Sequence, residues 1–190
     1  MSRKIVIVGG VAGGASAACR LRRLDETAEI ILLERSSQVS FANCGMPYYI
    51  GGVIEDRNAL LLQTPQSLYA RFRIDVRVNS EVTDIQPEQK NIVIRESKTG
   101  RVYEETYDEL ILSPGAAPIR PELPGVDLPQ VFTLRSMEDC DRVKSFVTLQ
   151  KPKCAVVVGG GFIGIELAEN LCHLGVEVVL AELSDQILAP

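Results

Sequence analysis

The run Ile5-Val-Ile-Val8 is β-branched throughout, with no polar residue to mark a solvent face, which predicts a strand buried on both sides of a parallel sheet. Gly9–Gly14 follows it directly, Ala15–Leu24 carries a helical pattern, and Ile30–Leu33 is a second buried run that ends on Glu34. The same series returns near the end of the chain. Cys154–Val158 is a strand, a second Gly-rich turn follows, Ile165–Leu174 is helical, and Val176–Leu180 leads to Glu182. Between the two series, Val76–Val78, Ile92–Ile94 and Val102–Tyr107 are short alternating segments separated by turn residues, which predicts an antiparallel meander. Tyr107–Gly115 returns to a buried strand ending in Ser113-Pro114-Gly115, and the prolines at 114, 118, 121, 124 and 129 stiffen the connection beyond it. Val131–Leu134 is expected as a further strand. Ser136–Leu149 is expected as a helix with Ser136 as N-cap and Asp139 in its first turn.

The predicted fold class is therefore α/β: a Rossmann-like domain with a β-meander insertion, then the start of a second Rossmann-like domain. The expected boundaries are 1–115, a Pro-rich connection with strand and helix at 116–150, and 151–190. Strand, Gly-rich turn, helix, strand and terminal acid form a dinucleotide-binding half, because the turn's amides suit a pyrophosphate and the acid suits a ribose hydroxyl. Glu34 lies 20 residues beyond Gly14 (34 − 14), and Glu182 lies 18 beyond Gly164 (182 − 164). In the second turn Gly159, Gly161 and Gly164 fill all three glycine places. In the first, Gly9 and Gly14 fill the outer two while Val11 takes the middle one, which implies a displaced phosphate, compensation from Gly10 and Gly13, or a non-nucleotide βαβ turn. The acid at 182 favours NADH over NADPH, whose 2′-phosphate would meet a like charge.

Composition removes other classes. A net charge of −5 argues against a broad nucleic-acid or anionic-membrane surface. No apolar run reaches the roughly 18–20 residues needed to span a bilayer, and the start lacks a secretory pattern, so a cytoplasmic protein is expected. The five cysteines, at 19, 44, 140, 154 and 172, form no C-x-x-C pair, and one histidine, His173, completes no zinc pattern; no metal site is expected.

Cys44 stands apart from the other four, which fall on predicted helices or a strand and are expected as core filler. It lies in the polar loop Ser40-Phe-Ala-Asn-Cys-Gly-Met-Pro-Tyr48, just before a Pro-led helical turn whose free N–H groups favour a thiolate nucleophile. A buried structural cysteine is the alternative.

These segments together resemble the single-cysteine branch of the FAD-dependent pyridine nucleotide–disulfide oxidoreductases, closest to CoA-disulfide reductase and NADH-dependent persulfide reductase. The resemblance rests on Ser40–Tyr48, Gly9-Gly-Val-Ala-Gly-Gly-Ala15, Tyr107–Ala116, Thr133-Leu-Arg-Ser136 and Gly159-Gly-Gly-Phe-Ile-Gly-Ile-Glu166. In that family a valine at the middle glycine place is ordinary. The resemblance implies FAD on Gly9, Gly10, Val11, Ala12, Gly13, Gly14, Glu34, Arg35, Asn43, Val82, Ser113, Pro114, Gly115 and Arg135. It implies NADH on Gly159, Gly161, Phe162, Ile163, Gly164, Glu166 and Glu182, with Phe162 covering the flavin; plain packing is the alternative for Phe162. Ser16, Arg20, Arg23, Ser40 and Asn43 match positions lining the CoA site, although a lysine of that site is replaced at Phe72, between Arg71 and Arg73. Arg20, Arg22 and Arg23 could instead serve the helix's negative end.

The implied activity is NAD(P)H-dependent reduction of a CoA persulfide or CoA disulfide through FAD and Cys44, with the second sulfur supplied by the substrate. Family members are longer, so the 190 residues are expected to be part of a homodimeric enzyme. The other readings are an NADH oxidase or peroxidase cycling through a cysteine sulfenic acid, and a redox-sensing nucleotide-binding module.

Overall fold

In the computed structural model, which describes residues 2–189, the first apolar run forms β1 (Lys4–Val8), followed by α1 (Ala12–Leu24) and β2 (Glu29–Leu33). With β3 (Ile74–Arg77) and β7 (Glu109–Leu112) these strands make a parallel sheet in the order β3-β2-β1-β7. The unbroken apolar runs have a simple cause, since both faces of the sheet are covered. Ile5, Ile7, Ile30 and Leu32 pack with Ala18 and with Leu68 of α3 (Pro65–Phe72) on one face. Val6, Ile31 and Leu33 pack on the other against Ile92 and Ile94 of a second sheet. Each of these side chains is almost completely buried, and full burial of one such residue is worth about 1.5–3 kcal/mol.

The second sheet is antiparallel, in the order β4 (Ser80–Gln86), β5 (Asn91–Glu96), β6 (Val102–Thr106). Here the structure corrects the sequence expectation. Val76 belongs to β3, paired in parallel with Leu32, and the first strand of the meander is Ser80–Gln86. Charged residues at 81 and 84 and a bulge between Val82 and Asp84 hide that strand's period. β7 lies at the sheet's edge, so Leu112 is exposed where a fully buried strand was expected.

The chain forms two compact units, one within Met1–Phe41 and Leu61–Ala116, the other within Ala42–Leu60 and Ala117–Pro190. The first holds both sheets just described. An antiparallel bridge between Phe41 and Leu61 marks where the chain leaves this unit and re-enters it.

The second unit contains α2 (Met46–Gly51), α4 (Met137–Gln150) and the parallel pair β8 (Cys154–Val158) and β9 (Glu177–Ala181) joined through α5 (Phe162–His173). α2 packs against both α4 and α5, which is why 42–60 groups with this unit although the sequence placed it inside 1–115. α4 begins with the expected capping box, Ser136 accepting from the Asp139 amide and Asp139 from the Ser136 amide. Val131–Leu134, expected as a strand, is irregular. It has no partner strand among the described residues, and Phe132 instead packs its ring on Phe146 of α4, centroids 5.1 Å apart.

Candidate functional site

Two Gly-rich turns are built alike. In the first unit Gly9 has φ of +100°, a region closed to most side chains, and a Cβ there would lie 2.0 Å from the Ser113 carbonyl oxygen. Gly14 touches Gly9 so closely that a Cβ would lie 1.8 Å from the Gly9 carbonyl oxygen. The Gly10 amide donates to Glu34 Oε2 at 2.8 Å and the Ser36 amide to Oε1 at 2.8 Å. In the second unit Gly159 has φ of +106°, and a Cβ on Gly164 would lie 2.0 Å from the Gly159 carbonyl oxygen. There the Gly160 amide donates to Glu182 Oε2 at 2.5 Å and the Ser184 amide to Oε1 at 2.8 Å. Each acid thus holds its own turn in shape while keeping lone pairs for a further donor. The amides of Ser184 and Gly160 hold Glu182 below the usual carboxylate range, so it is charged at neutral pH.

Helix ends separate these turns from ordinary ones. α3 and α4 both start with side-chain capping boxes, Thr64 with Ser67 and Ser136 with Asp139. α1 and α5 have no side-chain cap; their N-cap residues are Val11 and Gly161. The first intrahelical bonds run from Ala15 to Val11 and from Ile165 to Gly161, which leaves the amides of residues 12–14 and 162–164 without an acceptor in their own helix. Three aligned donors at the positive end of a helix, beside a turn without bulky side chains, fit a pyrophosphate. The donor sets of both turns therefore suit a dinucleotide.

Around the first turn the structure gathers several predicted residues. The Ser113 amide donates to the Val8 carbonyl and the Ser40 amide to the Gly10 carbonyl, so Ser113, Pro114 and Ser40 border Gly9–Gly14. Gly115 comes next with φ of +69°, Arg35 is exposed beyond Glu34, and Val82 packs on the β-meander face of the core. Phe162 and Ile163 are exposed at the start of α5, Phe162 at 75%, and Glu166 is half-buried one turn on. Arg135 lies in the second unit, immediately before the α4 cap, where its amide donates to Asp139.

The three arginines of α1 divide by role. Arg22 donates to the carbonyls of Asp25, Glu26, Phe72 and Arg73, tying the helix end to α3. Arg23 instead lies over the Phe72 ring at 5.9 Å, and Arg71 over the same ring at 5.4 Å. Ser16, Arg20 and Arg23 are all exposed, at helical spacings of four and three residues, and form one stripe. Arg71 is a member that the sequence did not single out; only the replaced lysine beside it pointed there.

Cys44 lies in the second unit, exposed, in a 3-10 turn over Asn43–Gly45 at the head of α2, with Pro47 in that helix's first turn. Gly45 is closely packed, since a Cβ there would lie 2.5 Å from Cδ2 of the buried Leu60 side chain. The Ala42 amide donates to the Leu60 carbonyl, so both neighbours of the Asn43-Cys44 pair rest on one residue. Cys140 of α4 is fully buried, its thiol directed at the Met46 carbonyl at 3.7 Å, and burial pushes its pKa up to about 12. It is a poor partner for sulfur chemistry despite its place beneath α2. Cys154 and Cys172 are exposed rather than core filler. All five cysteines are free thiols, no metal-ligating cluster occurs among the described residues, and none of the described helices is long and apolar enough to cross a membrane.

The sequence pattern of the family described as pyridine nucleotide-disulphide oxidoreductase matches residues 3–190. A coenzyme A disulfide reductase of Staphylococcus epidermidis is 44% identical over 184 residues, covering 97% of this chain and 41% of that protein. The reduced CoADR-RHD of Bacillus anthracis superposes with a TM-score of 0.96 at 54% identity, over 100% of this chain and 34% of its own. A NAD-dependent persulfide reductase from A. fulgidus superposes with a TM-score of 0.92 at 34% identity, over 97% of this chain and 34% of its own. The chain thus spans about two fifths or less of the length of these relatives.

Proposed function

The chain belongs to the pyridine nucleotide-disulphide oxidoreductase family, whose members work with FAD and a pyridine nucleotide, and from that premise we propose that it is the nucleotide- and thiol-bearing part of a CoA-disulfide or CoA-persulfide reductase. The observation that carries this reading is Cys44: exposed, without a cysteine partner, and held on a glycine-tight turn at the head of a helix. A disulfide-reducing site with one accessible thiol needs its second sulfur from the substrate.

The first turn, Gly9–Gly14 with Glu34, Ser113 and Pro114, would hold FAD, and the second, Gly159–Gly164 with Glu182, the pyridine nucleotide. When bound, FAD would supply the relay that carries an electron pair from the reduced pyridine nucleotide to sulfur. The chain's own part is the thiol step. Cys44 thiolate attacks one sulfur of the CoA disulfide, the other sulfur leaves as CoA thiolate, and a Cys44–CoA mixed disulfide remains. Two electrons and the accompanying protons then return Cys44 to a thiol and release the second CoA. For a CoA persulfide the same attack on the outer sulfur releases CoA and leaves a persulfide on Cys44, which the electron pair reduces to thiol and hydrosulfide.

The patch Ser16, Arg20, Arg23 and Arg71, with Phe72 holding the guanidinium groups of Arg23 and Arg71, supplies cations for the phosphates of CoA's nucleotide end. Arg71 makes good the missing lysine. Charged Glu182, followed by Asp185, favours NADH, since both would repel a 2′-phosphate. A cytoplasmic setting fits five unpaired thiols; a homodimer of the full-length enzyme rests on family resemblance.

The test is NADH oxidation by the full-length, FAD-loaded enzyme with CoA persulfide, CoA disulfide and hydrogen peroxide offered in parallel, Cys44→Ser alongside. Preference for a CoA sulfur substrate, lost in Cys44→Ser, is expected. Preference for peroxide would move the function to the peroxidase class.

A further inference from the structure

Helix α2 has six residues, too short to persist without tertiary support. Both α4 and α5 pack against it, and one face of α4 adds polar contacts. Cys140 reaches the Met46 carbonyl at 3.7 Å, while Lys144 donates to the Ile50 carbonyl at 3.1 Å and sits 5.5 Å from the centre of the Tyr49 ring. Between them, Asp141 accepts three bonds from Arg57, two from Nε at 2.7 and 2.9 Å and one from Nη2 at 2.7 Å. Arg57 opens the 3-10 turn Arg57–Leu60. The far end of that turn is Leu60, whose carbonyl accepts from the Ala42 amide and whose side chain fills the space against Gly45. Contacts therefore run from Asp141 to Arg57, on through the backbone of its 3-10 turn to Leu60, and from Leu60 to both sides of Asn43-Cys44.

We infer that Asp141, through its three-bond grip on Arg57, is a positioning residue for the Cys44 thiol. The ion pair is about one-third exposed on each side, so its share in global stability is small. Its fork geometry is what matters: a planar guanidinium held at two nitrogens has one orientation, and that orientation fixes the turn ending in Leu60. Cys140 and Lys144 hold the two ends of α2, while Asp141 hydrogen-bonds the segment that returns to the cysteine turn, where the charge of Glu138 also attracts Arg57. The inference rests on the reading of Cys44 as the reacting thiol, and its test does not require that reading to be right in full.

The experiment uses the full-length, FAD-loaded enzyme with Asp141→Ala, Arg57→Gln, and the charge exchange Arg57→Asp with Asp141→Arg. Two quantities are read: the rate of Cys44 alkylation by iodoacetamide, resolved by peptide mass spectrometry across neutral pH, and kcat against KM with CoA disulfide. Asp141→Ala and Arg57→Gln are each expected to lower the alkylation rate and kcat about tenfold, with KM nearly unchanged and the flavin spectrum retained. The charge exchange is expected to restore a substantial part of both. Unchanged Cys44 alkylation in the two single variants would overturn the proposal. So would a loss that follows the unfolding midpoint and is not restored by the exchange, since that is the signature of a structural ion pair. If the native enzyme fails to turn over CoA disulfide, the reductase reading fails, while the alkylation arm still decides the role of Asp141.

Discussion

Replacing Gly14 by alanine sets two effects against each other on a single helix. Alanine is favoured over glycine in a helix interior by about 1 kcal/mol. At Gly14, however, the new Cβ would lie 1.8 Å from the Gly9 carbonyl oxygen and 3.2 Å from Ile7 Cγ2. Reaching an ordinary contact of about 3.5 Å requires α1 and the turn to part by roughly 1.7 Å. The atom in the way is backbone, so no rotamer change relieves it, and overpacking of this kind costs about 1–3 kcal/mol. The net effect on stability is a loss of up to about 2 kcal/mol. The effect on cofactor binding is larger, because the same movement shifts the amides of residues 12–14 that would meet the pyrophosphate. Losing one charge-assisted hydrogen bond costs about 1.5–3 kcal/mol, or roughly ten- to a hundredfold in FAD affinity. Gly13→Ala is the control. Its Cβ would approach Ser113 Oγ at 2.4 Å, a hydroxyl that can rotate away, so the helix gain survives and affinity falls much less. Titration of the full-length apoenzyme with FAD, followed by flavin fluorescence, measures both. Gly14→Ala binding FAD within about twofold of the native enzyme, or Gly13→Ala failing as badly, would refute this account of the turn.

Arg23→Ala with Arg71→Ala removes both cations from Phe72 and is expected to raise KM for CoA disulfide about tenfold or more while leaving kcat with excess substrate nearly intact, by steady-state kinetics. Glu182→Ser removes the charge that a 2′-phosphate would meet and is expected to shift the NADH-to-NADPH ratio of kcat/KM roughly tenfold towards NADPH. The folded state holds the Glu182 carboxyl below its ordinary value of 4.5, so its contribution is complete above that pH and is lost as pH falls through the lower folded value. Protection of the Gly159–Gly164 amides, taken relative to the intrinsic exchange rate at each pH, is expected to fall in that acid window, and Glu182→Gln to remove that fall. Ser136→Ala removes the α4 cap, worth about 1 kcal/mol, and exchange of the first-turn amides of α4 should rise roughly fivefold.

The two βαβ halves were legible in the sequence because every part of them is local: an apolar run, glycines at fixed offsets, a helical period, and an acid about twenty residues on. Ser136 with Asp139 was legible for the same reason, as a capping box is written within four residues. The strand Ser80–Gln86 was not, because it is polar on one face and bulged between Val82 and Asp84, so its alternation breaks where it would be read. Val131–Leu134 has strand-like residues but no partner strand among the described residues, and partners are a tertiary property. The same limit hid the support of the thiol. Nothing local joins Asp141 to Arg57, 84 residues earlier, and the composition of the two helices misleads, since Cys140 is buried on the more charged one and Cys172 exposed on the more apolar one. Arg22 and Arg23 are adjacent in sequence, yet only the packing of α3 shows that one ties carbonyls and the other flanks an aromatic ring.

The central claim is that Cys44 takes the substrate's sulfur onto itself. Full-length enzyme with Cys44 as the free thiol and its flavin oxidised, mixed with CoA disulfide in the absence of NADH, quenched in acid and mapped by peptide mass spectrometry, tests it directly. The account predicts one CoA adduct, on the peptide carrying Cys44, with release of one equivalent of CoA and loss of the adduct on adding NADH. An adduct on Cys154 or Cys172 with Cys44 unmodified, or release of CoA with no adduct at Cys44, would contradict it.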